Sequence, residues 1–414
     1  MTGTNKHISG GYSPDQMQIF DPELSAVTDT TATFVFSTRT GSGDPVGGDV
    51  EVRLDPAGGG RVRRVSSAGD DVDKSAGVRH LVVEGLDPET EYRIGFGAEI
   101  AGEVHELFLP KSFTTLRRPP GELLSSVATV SDMHFGEKYC GLGPKDAPGP
   151  VFRAADEQVP YWLHMNKSIL TEINEYGVDR VVVKGDITSE SQLLEFTLAR
   201  GLLNGLNAPW DAILGNHDMM DPLVDGLDEI RQPAAPARSV DIEGCKLVLI
   251  DTNCPGKEYG MFTPERAEAL ESELGAAGDN PVFVFGHHYV SDPAKRGEYT
   301  FGIDRTDSAR LLEVLARGRD RPIGGYFAGH THRNRVRTFA ETGSMPLAEV
   351  CSTKEYPGGW ALYRTYEGGY TQEVRRCAAP RALAWCDKTK EMFGGYYRLY
   401  AIGKLGERCF AREW

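Results

Sequence analysis

Six of the ten histidines of this 414-residue chain fall in four short turns. The turns read Ser131-Asp132-Met133-His134, Gly215-Asn216-His217-Asp218, Gly286-His287-His288 and Gly329-His330-Thr331-His332, and a fifth, Gly185-Asp186, adds a carboxylate. Imidazole and carboxylate donors suit Mn, Fe, Zn or Co. Two such cations about 3.5–4 Å apart neutralise phosphoryl oxygens and lower the pKa of a bound water from about 15.7 towards 7. Both effects are what cleavage of a phosphate ester at neutral pH requires. The D-x-H spacing predicts two side chains on one face of an extended segment, since strand side chains alternate. The H-x-H of GHTH does the same, with each imidazole able to reach a different ion. The glycines let backbone approach the ions closely.

Each turn follows a short apolar run. LLSSVATVS, DRVVVKG, WDAILG, KLVLI, PVFVFG and GGYFAG read as strands, and five of these six end in the turns above. Helical patterns lie between several of them: YWLHMNKSILTEINEY, SQLLEFTLARGLL, ERAEALESELGAA and DSARLLEVLARG. Continuous Val/Ile/Leu strands separated by helices predict buried, parallel or mixed sheets. In open α/β sheets ligands sit beyond the carboxyl ends of the strands, so the five turns should converge.

D-x-H, G-D, G-N-H-D, a later His and G-H-x-H, in this order over residues 123–350, resemble the calcineurin-like metallophosphoesterase superfamily. The resemblance implies a four-layer α/β/β/α sandwich and a dinuclear phosphoester hydrolase using a metal-bridging hydroxide. Asp132, His134 and His332 would hold one ion, and Asn216, His287 and His330 the other. Asp186 would bridge them. His217 would act on the leaving-group oxygen, with Asp218 orienting it. His287 is preferred to His288 as ligand, and His288 is the alternative or a substrate contact. Asn216, His217, His288 and Arg333 are candidate substrate contacts. The protein-phosphatase pattern G-D-x-x-D-R-G is absent: Ser189-Glu190-Ser191 follows Gly185-Asp186-Ile187-Thr188. The metal-binding tyrosine of purple acid phosphatases is replaced by Ser189. The motif set is similar to the cyclic-nucleotide phosphodiesterase-like branch, except that Tyr289-Val290-Ser291 follows the His pair instead of prolines. The expected substrate is a small-molecule phosphodiester or phosphomonoester, nucleotides among them. The alternatives are a non-catalytic scaffold that reuses the fold and a metal-dependent nuclease.

Before the α/β region lie short alternating runs near ten residues apart, the pattern of an all-β sandwich. Leu86-Asp87-Pro88-Glu89-Thr90-Glu91-Tyr92 resembles the L-x-P-x-T-x-Y stretch of fibronectin type III domains, in which the tyrosine hydroxyl ties down a corner. The expected organisation is a flexible tail (1–20), a fibronectin type III-like sandwich (21–116), a linker (117–122), the metallophosphoesterase domain (123–350) and a β-rich extension packed on it (351–414). WALYRTY-EGG-YTQEVRR reads as a hairpin, and EMFGGYYRLYAIG as further strands or a flap. A Gly/Pro-rich insertion, 137–160, carries Lys138, Lys145 and Arg153 as possible phosphate contacts. His164 and Lys184 read as structural.

The formal net charge of -15 repels nucleic acid and anionic membranes, so a phosphate site must be positive locally. No apolar run is long enough for a membrane span. Seven cysteines without a C-x-x-C pair, and no leader-like segment, predict reduced thiols in a cytoplasmic protein.

Overall fold

The computed structural model describes residues 16–67, 77–141, 143, 148–295, 301–318 and 322–414. Most of the expected tail, 1–15, and Lys145 lie outside them. The tail is shorter than expected, because Gln18–Val27 is already a strand paired with Thr31–Arg39. Val78–Glu84 completes a three-stranded sheet, and Arg63–Ser67, Val50–Pro56, Glu91–Phe96 and Ser112–Thr114 form a second sheet in that order. Phe34, Val52, Leu54, Val83 and Tyr92 fill the space between the two. The Tyr92 hydroxyl accepts from the Asp87 N–H at 2.9 Å, closing the corner ahead of its own strand.

Two six-stranded sheets follow. The first runs Trp210–Ile213, Arg180–Lys184, Leu123–Val130, Gly359–Tyr366, Gly369–Arg376, Cys409–Glu413. The second runs Ala237–Ile242, Cys245–Ile250, Val282–Phe285, Ile323–Ala328, Leu347–Glu349, Arg335–Arg337. Each has three or four neighbouring parallel strands and antiparallel edges. Alternate residues of one strand serve different cores. Val182, Leu247, Phe283 and Phe327 meet between the sheets. Val181 and Val183 face helices Tyr161–Tyr176 and Leu193–Leu203. Val248 and Val284 face helices Pro264–Ala276 and Arg305–Arg317. The result is a four-layer α/β/β/α sandwich. With both faces covered, the strands read as unbroken apolar runs, and each buried Val, Leu or Phe contributes about 1.5–3 kcal/mol relative to exposure. The first long helix stops at Gly177, whose φ of 78° is the left-handed cap that lacks a Cβ penalty.

The chain after residue 351 is woven into this sandwich. The Gly359–Tyr366/Gly369–Arg376 hairpin and Cys409–Glu413 are half of the first sheet. The aromatic stretch expected as strands or a flap is instead a 3₁₀ turn, Met392–Gly395, and a helix, Tyr396–Ile402. Its Tyr397, Ala401 and Ile402 pack into the core, so burial overrides the β propensity of aromatic residues.

The sandwich is fastened to this region through buried charge. Glu23 accepts from the Tyr356 hydroxyl at 2.6 Å and pairs with Arg376 at 2.5 Å and Arg398 at 3.4 Å. Asp21 pairs with Lys390 and Arg398. No helix among the described residues is long and apolar enough to cross a membrane.

Candidate metal centre

The five turns leave the carboxyl ends of parallel strands, three in the first sheet and two in the second. Backbone hydrogen bonds zip them together: Asp132 N–H to Gly185 O (3.1 Å), His134 N–H to Asp186 O (3.0 Å) and Gly329 N–H to His287 O (3.0 Å). The extended D-x-H and H-x-H geometry expected from spacing is not what the chain adopts. Asp132 (φ 56°), His134 (47°), Asp186 (49°), His330 (69°) and His332 (55°) are all left-handed, half of the non-glycine residues with positive φ among those described. The conformation costs about 1–2 kcal/mol per residue and marks sites where surroundings over-determine the backbone. Left-handed residues at alternate positions bend the chain tightly, and both side chains of each pair still turn inward. Gly185 has no room for a side chain, since a Cβ would lie 2.6 Å from Gly215 N and 2.7 Å from His287 Nδ1.

All seven expected ligands meet in one cage. His134 Nε2 and His332 Nε2 stand 3.3 Å apart, with Asp132 Oδ1 3.5 Å from His332 and Asp186 Oδ2 3.7 Å from His134. Across Asp186, His287 Nε2 is 3.3 Å from Oδ2 and 3.2 Å from Asn216 Oδ1. The His330 ring lies 5.0 Å from that of His287. Ligand-type atoms lie within 4.8 Å of one another in Asp132/His134/His332, His134/Asp186/His217, Asp132/Asp186/His287 and His287/His288/His330. Asp132, His134, Asp186 and His287 each belong to two of these groups, and Asp186 joins the His134 side to the His287 side, as a shared centre for two ions demands.

The tautomers point the same way. Of the expected ligands, His287 donates its Nδ1 proton to Lys184 O (2.7 Å) and His332 its Nδ1 proton to the Glu355 carboxylate (2.5 Å), while His217, not an expected ligand, donates its own to Ser189 O (2.8 Å). An imidazole whose Nδ1 donates offers the Nε2 lone pair to a metal. Those lone pairs face carboxylate and amide oxygens across the cage, a set of acceptors that a cation satisfies. His134 Nδ1 and His330 Nδ1 are buried with no hydrogen-bond partner among the described residues. The donor set thus fits two divalent cations.

Burial, Lys354 and His217 hold His134 well below the ordinary imidazole range, and burial with His287 takes His330 down to about 3, so both are neutral donors at pH 7. Burial lowers His287 as well, but the Asp186 carboxylate outweighs it and lifts that imidazole to about 9, so its Nε2 carries a proton that a cation would have to displace. Burial likewise disfavours the Asp186 anion, yet His287 and His217 hold its carboxyl well below its usual value.

The other candidates divide. His217 is half-buried, and its ring packs edge-on to that of His134, with centroids 4.6 Å apart. Asp218 does not hold that ring: its carboxylate accepts N–H bonds from Gly215 (2.9 Å), Ile187 (3.1 Å) and Thr188 (2.7 Å). It pins the Asp186 turn to the Asn216 turn, and the ring is held by a main-chain carbonyl that no motif could reveal. His288 turns its Nδ1 to Thr252 Oγ1 (3.0 Å), beside His330. Arg333 pairs with Glu349 (3.3 Å) and stacks over Tyr400. Lys138 pairs with Glu190, and Arg153 lies over Tyr139. Buried Lys184 donates to Ala328 O (2.6 Å), joining the two sheets. Glu355 at His332 was missed, since a lone glutamate in STKEYP carries no motif. A cavity of about 830 Å³ lies behind the Asn216–Met219 turn, lined by Leu214, Asp218, Met219, Val224 and Asn253 but by none of the seven expected ligands.

The family described as calcineurin-like phosphoesterase matches residues 125–334, just over half of the chain. A glycerophosphodiester phosphodiesterase of Enterobacter lignolyticus (strain SCF1) is 32% identical over 40% of this chain and 61% of its own length. A cAMP/cGMP dual specificity phosphodiesterase of Mycobacterium tuberculosis (strain CDC 1551 / Oshkosh) is 26% identical over 45% of this chain and 59% of its own. The chain thus spans about three fifths of these two relatives. A purple acid phosphatase from yellow lupin (Lupinus luteus) seeds superposes with a TM-score of 0.44 at 13% identity, over 88% of this chain and 73% of that one, a likeness too low to carry any argument.

Proposed function

The chain belongs to the calcineurin-like phosphoesterase family, and from that premise we propose that it is a dinuclear metal-dependent hydrolase of a small-molecule phosphodiester or phosphomonoester, nucleotides among them. Asp132, His134 and His332 would hold one ion, Asn216, His287 and His330 the other, and the Asp186 carboxylate both. When bound, the ions neutralise phosphoryl oxygens and bring the pKa of a water near 7. The chain's own residues do the rest. His217, with its Nδ1 proton donated to Ser189 O, presents Nε2 to the leaving-group oxygen and, as the imidazolium, can deliver the Nε2 proton there and be left neutral. Asn216 offers its carboxamide N–H to a phosphoryl oxygen. Asp218 keeps the Asp186 and Asn216 turns in register. His288, beside His330, remains a candidate substrate contact, and Arg333 would become one only by leaving Glu349.

One observation carries this proposal: Nε2 lone pairs and carboxylate oxygens from both sheets share one buried space, with Asp186 between the two groups. The names of the relatives favour a phosphodiester. The absence of the phosphatase arginine disfavours a phosphoprotein. We also read the segment after residue 350 as part of the catalytic sandwich instead of an extension packed on it, and the N-terminal β region, from Gln18, as a fibronectin type III-like sandwich. Its three-plus-four strand arrangement and the Tyr92–Asp87 corner support that assignment. The test is hydrolysis by the purified full chain, loaded with Mn²⁺, of bis(p-nitrophenyl) phosphate and p-nitrophenyl phosphate, alongside metal analysis. Two ions per chain and cleavage of at least one ester are expected; failure with every divalent metal tried refutes the proposal.

A further inference from the structure

Behind His332, on the side away from the cage, lies a buried charge cluster that the proposed hydrolysis leaves unused. Glu355 Oε1 is 2.5 Å from His332 Nδ1 and accepts from the Tyr397 hydroxyl at 2.7 Å. Its Oε2 is 2.8 Å from Lys354 Nζ and accepts from the Cys140 thiol at 3.3 Å. Lys354 is also bound to Glu137 at 2.7 Å, and Glu137 accepts from the Tyr161 hydroxyl at 2.5 Å. Glu137, Cys140 and Glu355 have the atoms of a metal site of their own. The Lys354 ammonium already bridges the two carboxylates, so a cation there would meet a positive charge, not an open donor set.

We infer that Glu355 is a positioning residue for the ion held by Asp132, His134 and His332, an inference that rests on the proposed dinuclear centre. A carboxylate only accepts, so His332 must place its proton on Nδ1 and turn the Nε2 lone pair to Asp132 and His134. The negative charge also strengthens the imidazole as a donor. Glu355 cannot drift, because Lys354, Tyr397 and Cys140 hold it from three directions. Its neighbours on both supporting segments reach the N-terminal sandwich, Tyr356 through Glu23 and Arg398 through Asp21 and Glu23. The sandwich thus backs the element that aims one metal ligand. Asn216, His287 and His330 make no hydrogen bond or ion pair to Glu355, Lys354, Tyr397 or Cys140 among the described residues, so the effect belongs mainly to one ion of the pair.

The experiment is a Co²⁺ titration of the full-length wild type and Glu355→Gln, followed by calorimetry and by visible absorption of the bound cobalt. Glutamine keeps the shape but turns either an amide N–H or an uncharged oxygen to His332. Glu355→Gln should bind one of two ions about 10–100-fold more weakly, with an altered cobalt spectrum for that ion and the other ion unchanged. Two ions at wild-type affinity and an unaltered spectrum overturn the inference. Should Glu355→Gln not fold, Tyr397→Phe decides. Removing one hydrogen bond to Glu355 should weaken the same ion roughly fivefold, and unchanged binding overturns the inference. A wild-type chain that takes up no ion overturns the dinuclear proposal itself, and is told apart from the other outcomes by that first titration.

Discussion

Replacing His217 with alanine should separate proton donation from every other contribution at the site. The Nδ1 bond to Ser189 O is lost from a half-buried side chain, which costs about 1 kcal/mol of stability. The backbone N–H of residue 217, which donates to Asp186 Oδ1 at 2.9 Å, remains in the variant, so the bridging carboxylate keeps its support. Metal content should be unchanged. What disappears is the imidazole that can protonate a departing alkoxide, an effect of about 10²–10⁴ in rate, or about 2.7–5.4 kcal/mol at 1.36 kcal/mol per decade. That full loss is expected in kcat/KM for an unactivated alkyl phosphodiester. A p-nitrophenolate leaves without help, so bis(p-nitrophenyl) phosphate should slow by roughly tenfold or less. Steady-state kinetics on both esters, with metal analysis of each preparation, gives the comparison. Equal losses on the two esters would mean that His217 acts by placing the phosphate, and no loss on either would remove it from the mechanism.

Three further outcomes follow from the same contacts. Asp218→Asn puts an amide N–H against at least one of the Gly215, Ile187 and Thr188 N–H donors. It should cost about 1–3 kcal/mol in urea unfolding and slow both esters by the same factor, unlike His217→Ala. Glu23→Gln leaves Arg376 without its buried counter-charge, while Arg398 keeps Asp21, and should lower stability by about 3–5 kcal/mol, seen as a lower denaturant midpoint; a change under about 1 kcal/mol would show that the Glu23–Arg376 pair does not hold the sandwich in place. Burial and then Arg381 bring His164 down to about 4. A group with a depressed pKa gives stability that is present above its unfolded value, near 6.5, and is lost as pH falls through its folded value. His164→Leu should therefore flatten the decline in unfolding free energy, measured in urea between about pH 6.5 and 4, by roughly 1–3 kcal/mol after allowing for partial solvent screening; an unchanged slope would contradict the burial of a neutral ring.

The donor residues were legible because chemistry restricts them. Few residue types bind a divalent cation, and their place after Val-rich runs in the sequence puts them at strand ends. The α/β order was legible for a related reason: strands covered on both faces must be apolar throughout, as Val181, Val182 and Val183 are, each 0% exposed. Local propensity misled where packing decided. Tyr396–Ile402 carries residues that favour strands and forms a helix, because Tyr397, Ala401 and Ile402 fill a hydrophobic core. Gln18–Phe20 looked like tail and is strand, because a partner at Ser37–Arg39 supplies the hydrogen bonds.

Taken alone, the sequence determined which atoms are able to coordinate, since side-chain chemistry is a property of residue type and their order along the chain is already a pattern. Which of those atoms share a space, and which nitrogen of each imidazole points there, was decided only by the fold. Asp218 went to backbone N–H groups instead of His217, Ser189 O took His217 in its place, and Glu355 arrived at His332 from a distant segment. The reason is that buried polar groups must find partners, and those partners are set by which chain segments packing brings within about 3 Å.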